Sequence, residues 1–396
     1  QFRRLFIAQV LWLFGTGLLT IALALKAFEI GGAAGAGLVL SGVFTVKMLA
    51  YVGFAPLAAT LGERLPVRPL LAALDIFRLL IALALLTTTA TWQIFPLVLV
   101  FYLAAAAFTP AMQATVPSLL KDEGDYTAAL SLSRAAASLE SLLSPLLAAA
   151  FLTLASANAL FAASALTFAL SAGVLAITQL PNRATNAPGQ RFRDRLTRGF
   201  AIYLATPRLR GLLAANLALS LPLAWILVNS VGFAGAKFGE DGTAFTGLMA
   251  AYGIGAIIGA LSVPALVRRT TERRVILTGA LAMGLLPLCI PLITAYPAAL
   301  ALWLLIGLAG SLVLTPGGLL LARSASQSDR PAIFAAQFTL SHAAWLIAYP
   351  LAGWLGAALG LVPAFVALGV AGTALTVAAW RIWPASHAHE HPDLPP

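Results

Sequence analysis

The chain has 396 residues, 60% of them hydrophobic and only 10% charged. Soluble folds run nearer a half apolar and a quarter charged, so this composition excludes a set of ordinary soluble domains and places the chain in a bilayer. The formal charge of +10 would suit nucleic acid only if it formed one basic face, and the basic residues are instead scattered through many short segments.

A helix crosses the hydrocarbon core with about 20 apolar residues. That length predicts spans at roughly 6–30, 38–61, 69–90, 93–118, 127–154 and 158–179. After a polar stretch come roughly 208–233, 243–267, 274–295, 297–322, 331–357 and 361–383. The first stretch is longer than a signal-peptide core and has no convincing cleavage site behind it, so it reads as a span. Span 1 carries Gln9, Leu13, Thr16 and Thr20 on one stripe. Span 2 carries Lys47, aligned with Tyr51 and Phe54. Three roles stay open for Lys47: neutralising a buried acid, binding an anionic substrate, or reaching out to the headgroups.

Glu63, Arg64 and Arg68 follow span 2, and Asp75 and Arg78 open span 3. These charges fit an inner gate, where an acid meets a helix N-terminus or a basic partner in one state and releases it in the other; orientation by positive charge is the competing reading. Span 4 has the stripe Tyr102, Ala106, Thr109, Gln113. Span 5 carries Glu140 about halfway along, in line with Ser133, Ala137 and Ser144, beside a second stripe of Arg134, Ser138 and Ser141. An ionisable group at that depth costs about 3 kcal/mol on insertion scales, so this polar face is expected to line a cavity. Glu140 is then a proton carrier or cation site, or else a fixed ion-pair partner; Arg134 is a gate contact or a helix-end anchor.

Residues 181–207 form the longest polar stretch and, with Arg191, Arg193, Arg195 and Arg198, are expected to link the halves through a short basic helix on the membrane surface. Span 7 offers Asn216 and Ser220, with Trp225 and Asn229 further along. In span 8, Gly253, Gly255 and Gly259 have the wrong spacing for a dinucleotide loop and follow no strand, so they predict close helix packing. Span 11 has the stripe Phe338, His342, Trp345, Tyr349; imidazoles titrate near neutral pH, so His342 is a coupling candidate or a packing residue. The tail, 384–396, with His387, His389 and His391, reads as disordered. The single cysteine, Cys289, excludes an internal disulfide and a cysteine-based metal cluster. No nucleophile–base arrangement or phosphate loop is present, so the chain reads as a non-enzyme that needs no cofactor or metal.

With both termini placed in the cytoplasm, nearly all of the 24 Lys and Arg fall on the inner side. Only Lys26 and Lys237 fall outside, and Lys47, Arg78 and Arg134 lie within spans. The two sets of six spans also echo each other. Phe108-Thr109-Pro110 answers Leu314-Thr315-Pro316, Asp125 answers Asp329, Ser133-Arg134 answers Ser341-His342, and Pro56 answers Pro264, all offset by roughly 204–208 residues. Two copies of a six-helix unit in the same topology imply a pseudo-twofold axis along the membrane normal.

On these grounds the chain resembles the major facilitator superfamily over essentially its whole length. Within it, the stretch from Ala59 to Arg68, with Glu63, Arg64 and Arg68 in the signature positions, together with Asp75-x2-Arg78 and Phe108-Thr109-Pro110-Ala111 followed by Gln113, is similar to the bacterial drug- and siderophore-exporter branch related to the enterobactin exporter. Departures are Gly15-Thr16-Gly17 where that branch carries an acid in span 1, and the absence of an arginine in span 4. The resemblance implies an all-α membrane protein of twelve helices in two six-helix bundles, residues 1–180 and 208–383. It also implies helices 1, 4, 7 and 10 around a central cavity, action as a monomer in the cytoplasmic membrane, and alternating access. The expected function is proton-coupled export of a small amphiphilic compound, with Glu140 and His342 as coupling candidates. An uncoupled or lipid-type carrier is the alternative, and a receptor or scaffold the non-transport one.

Overall fold

The computed structural model describes residues 1–54, 66–113, 156–180, 192–239, 242–324 and 330–383, with isolated positions between 115 and 151. Predicted span 5 with Arg134 and Glu140, the stretch holding Glu63 and Arg64, the first part of the linker, and the tail lie outside the described residues.

Among the described residues every regular element is helical. Helices α1 (Phe2–Gly32), α2 (Gly35–Phe54), α3 (Val67–Leu86) and α4 (Thr91–Gln113) realise the first four predicted spans. Helix α5 (Ala157–Ala176) is the sixth, and α6 (Phe192–Ala205) is the basic helix expected in the linker. Helices α7 (Pro207–Phe238), α8 (Thr243–Arg269), α9 (Glu272–Leu285), α10 (Tyr296–Arg323), α11 (Arg330–Leu359) and α12 (Leu361–Ile382) keep the numbers of the predicted spans. A 3-10 turn, Leu286–Leu292, with Pro287 and Pro291, extends α9. Eleven of the helices between described residues are long and apolar enough to cross a membrane.

Local chemistry sets the ends. α1 and α2 are parted only at Gly32, whose φ of 61° belongs to the region that glycine alone enters without steric cost. α2 closes on a π-helical turn, Ala50–Phe54, a wide turn that recurs at functional positions. α9 starts on Thr271, whose hydroxyl oxygen accepts the Arg274 N–H at 3.2 Å.

The two halves pack alike. α1 and α3 both lie on α5, and α3 lies on α4; in the second half α7 and α9 lie on α12, and α9 lies on α10. Adding six to each span number turns one set into the other, as two six-helix bundles related by a pseudo-twofold axis require. Lipid offers no hydrophobic drive to helix association, so close backbone approach has to supply it. The α8–α10 seam shows how: Gly255 faces the Leu304 carbonyl, Gly259 the Leu308 carbonyl, and Gly307 the Tyr252 carbonyl, leaving no room for a Cβ. Ser311 Oγ donates across the same seam to Ala256 O at 2.8 Å.

Inside the first half, Arg78 donates to Asp75 on the same helix, and both are fully buried. Ser171 Oγ of α5 donates to the other Asp75 carboxylate oxygen at 2.5 Å and lies 3.1 Å from Ala8 O of α1. The guanidinium carbon lies 4.2 Å from the centre of the Phe108 ring and 5.2 Å and 5.3 Å from those of Phe168 and Trp12. Asp75 and Arg78, expected at an inner gate, are joined in this structure in a buried clamp of α3, α5 and α1. A desolvated guanidinium needs its carboxylate close by, and here that carboxylate sits one turn away on the same helix.

Between the halves, α1 and α2 meet α7 and α11. Toward the end remote from the chain termini, Gly37 and Gly356 both press on the Asn229 side chain, Gly353 on Ser41, and Gly235 on the Phe28 ring. Asn229 Nδ2 itself donates to Ala352 O at 2.9 Å, so it is held within the second half.

Substitutions at Asp75, Gly255 and Gly318 test this packing. Asp75→Asn leaves Arg78 buried without its counter-charge and is expected to cost about 3–5 kcal/mol; thermal unfolding in detergent measures it, and Asp75→Leu combined with Arg78→Met should recover most of the loss. Gly255→Leu is expected to cost about 3 kcal/mol through overpacking, whereas Gly318→Ala, with nothing within 4 Å of the new Cβ, should leave the unfolding temperature unchanged or raise it slightly.

Candidate functional site

The stripes anticipated on spans 2 and 11 meet one another. On α2, a one-turn register brings Phe44, Lys47 and Tyr51 to one face. The Lys47 ammonium lies 5.9 Å from the centre of the Phe44 ring, 5.9 Å from that of Tyr51 and 5.2 Å from that of Tyr102 on α4. Three ring faces turned toward one cation place their negative quadrupoles around it and replace part of its hydration. The side chain is half-buried in this arrangement and does not run out along the surface.

The opposite wall comes from α11. The Tyr51 ring meets His342 edge-on at 5.8 Å and Tyr102 at 5.9 Å. His342 lies over Phe338 at 3.8 Å between centroids, and its Nδ1 is 2.7 Å from Phe338 O on the preceding turn. Trp345 stacks on Tyr349 at 5.1 Å, and Tyr349 in turn meets Phe44 at 4.9 Å. A continuous aromatic band thus crosses from the first half to the second, with one ammonium on one side and one imidazole on the other. Phe338 is 45% exposed, so the band opens to space at that end. Phe44 was not singled out from the sequence, although its position three residues before Lys47 on one helix was the available signal.

Several other predicted cavity residues are held elsewhere. Thr16 Oγ1 donates to Trp12 O and Thr20 Oγ1 to Thr16 O, each at 2.9 Å along their own helix. Ser220 Oγ donates to Leu217 O at 2.9 Å and is buried, as is Asn216. Gln9 Nε2 reaches Ser133 O at 3.3 Å and so ties α1 to the stretch of predicted span 5. Trp225 belongs to the core of the second half, stacked on Phe365 at 4.1 Å with 13° between planes. Arg68 is exposed at the start of α3. The Thr109 and Gln113 side chains, like Arg134, Glu140, Glu63 and Arg64, lie outside the described residues.

The linker helix is anchored to the same α11. Tyr203 of α6 donates to the Gln337 side chain, one residue before Phe338. Burial pushes the Tyr203 hydroxyl well above the usual phenol range, so it stays protonated and can keep donating. Among the described residues no group of three or more His, Cys, Asp or Glu side chains is placed to hold a metal ion.

Solved structures share this architecture at low sequence identity. A mutant of the nucleoside transporter NupG superposes with a TM-score of 0.77 at 12% identity, over 97% of this chain and 100% of that one. A POT family transporter in complex with 5-aminolevulinic acid gives 0.73 at 14%, over 96% of each. A bacterial homologue of the human lysosomal transporter Spinster, in an inward-facing and unoccupied conformation, gives 0.73 at 11%, over 96% of this chain and 95% of that one. No curated protein matches the sequence. The Major Facilitator Superfamily profile matches residues 5–270 and 223–395, which together run almost from end to end. The chain belongs to the Major Facilitator Superfamily, a family of secondary transporters and not of enzymes.

Proposed function

We propose that this transporter exports a small amphiphilic compound, one with a planar apolar body and an anionic group, by alternating access and in exchange for protons. The carrying observation is the Lys47 ammonium set among the Phe44, Tyr51 and Tyr102 rings at the junction of the halves. Rings stack on an apolar body with little specificity for its outline. A partly desolvated ammonium attracts an anionic group far more strongly than one in bulk water. Few charges and many aromatics suit an amphiphile better than a sugar or a free phosphate. The drug- and siderophore-exporter branch is supported by the motif residues Asp75, Arg78 and Phe108-Thr109-Pro110.

In this reading residues 1–180 and 208–383 rock as two units, each acting within a monomer in the cytoplasmic membrane, with both termini inside. The contacts of Gly37, Gly235 and Gly353 then close the outer side, and Glu63, Arg64, Arg68 and Arg134 act at the inner one. Glu140 carries the exchanged proton, with His342 the second candidate. An uncoupled carrier is the rival reading, favoured by the uncharged Gly15-Thr16-Gly17 step, whose Thr16 hydroxyl is already committed to its own helix.

Proteoliposomes with an imposed pH gradient separate the two. Screening amphiphilic acids by thermal shift supplies the ligand, and an internal pH dye reports protons. Lys47→Gln is expected to weaken binding of the anionic ligand about tenfold, equivalent to roughly 1.4 kcal/mol, while Lys47→Arg retains most of it; equal binding by all three proteins would reject the site. Glu140→Gln should keep binding and lose pH-driven flux, and unchanged proton-driven flux in that variant removes Glu140 from the mechanism. Substrate movement with no proton movement in the unaltered protein would establish the uncoupled reading instead.

A further inference from the structure

A cavity lies apart from the aromatic band, at the end of the second half where the chain termini also lie. It has a volume of about 580 Å³ and sits between the end of α8, the start of α9, the flank of α10 and the end of α12. Its chemistry is divided. Val275, Leu277 and Leu312 line it with buried apolar side chains and Leu266 with an exposed one, while Arg273, Arg274 and Thr278 supply a polar mouth.

The two arginines of the mouth are not equivalent. Arg273 is committed: its Nε donates to Trp383 O and its Nη2 to Trp380 O, each at 3.0 Å, which satisfies the last carbonyls of α12. It ties α9 to α12 and shapes the wall. Arg274 is exposed, and its side chain has no hydrogen-bond or ion-pair partner among the described residues. Arg268 and Arg269 stand beside it in the last turn of α8, both exposed. The acid in this turn, Glu272, is buried. The turn between α8 and α9 thus carries four arginines and one acid, a net positive charge at the mouth.

Its depth in the bilayer follows from Trp380, which is 60% exposed within the last turn of a spanning helix. Exposed tryptophan at such a position marks the level of the headgroups. Below it, Leu281 and Leu285 of α9 are exposed at 39% and 45% and continue the apolar surface toward the membrane centre.

We infer that this cavity binds an anionic phospholipid of the surrounding leaflet, its phosphate at Arg274 and the first turn of α9 and the upper part of an acyl chain against Leu266 and Leu312. Inorganic phosphate would leave the apolar lining unfilled, and a zwitterionic lipid would leave the arginine cluster without net counter-charge. Both arms of the ligand are needed to use both parts of the site. This inference does not depend on the substrate or on proton coupling, since its readout is lipid retention.

Native mass spectrometry of the delipidated full chain, incubated with phosphatidylglycerol or with phosphatidylcholine, tests it. Phosphatidylglycerol should be retained preferentially. Arg274→Gln should weaken that retention roughly fivefold, the effect of one basic residue near a charged lipid surface. Thr278→Trp, which fills the cavity from an exposed position without changing charge, should weaken it as well. Arg210→Gln, an equal loss of charge from the exposed start of α7, should retain lipid as the unaltered protein does. Equal retention of the two lipids, equal weakening by Arg210→Gln and Arg274→Gln, indifference to Thr278→Trp, or displacement of phosphatidylglycerol by inorganic phosphate would each overturn the proposal.

Discussion

A peptide group in hydrocarbon has no water to bond, so each spanning segment must satisfy its own backbone, and helices do this within one segment. Once that is met, the apolar side chains gain nothing by leaving lipid for one another. What holds the helices together is then close packing and the few polar contacts that would be costly to leave unmade. The α8–α10 seam, where Gly255, Gly259 and Gly307 let backbones touch, and the Asp75–Arg78–Ser171 clamp are the two forms this takes.

The same constraint separates what is rigid from what can part. Contacts within a half include a buried ion pair and hydrogen bonds from Ser164 and Ser171 of α5 to the Gly15 carbonyl of α1 and to Asp75 of α3. Breaking these in a low-dielectric interior would leave charges and donors stranded. Contacts between the halves that are described here are of another kind: glycines against Asn229 and Ser41, and rings against rings at Phe44–Tyr349 and Tyr51–His342. Such surfaces lose dispersion on separation but strand no charge. Under the proposed alternating access, contacts of this kind would let the halves part at the junction while each half keeps its own packing.

Lys47 stands at the boundary between these regimes. It is the charged side chain drawn into the aromatic band, and its surroundings are supplied by α2 and α4 with α11 closing the far side through Tyr51 and His342. Its environment therefore changes whenever the halves move. The groove at Arg273 and Arg274 belongs instead to one half, where Arg273 joins α9 to α12 whatever the state of the junction.

The helical class, eleven of the twelve spans, their repeat and the glycine packing in α8 were legible in the sequence because each is a one-dimensional property: a run of apolar residues about as long as the hydrocarbon is thick, or a period. So was the shared stripe of Lys47 with Tyr51, and that of Phe338 with His342 and Trp345, since helical spacing alone decides which residues share a face. Spacing cannot say what a face is turned toward. Thr16 and Thr20 form as clear a stripe as any, and their hydroxyls bond their own helix; Trp225 shares span 7 with Asn216 and Ser220 and stacks on Phe365 in the core. The spacing of Asp75 and Arg78 shows that they can pair, and not that Ser171, nearly a hundred residues later, bonds the same carboxylate. The sequence determined the elements and the faces they carry; the tertiary structure decided which face meets which, since that depends on contacts between residues far apart in the chain.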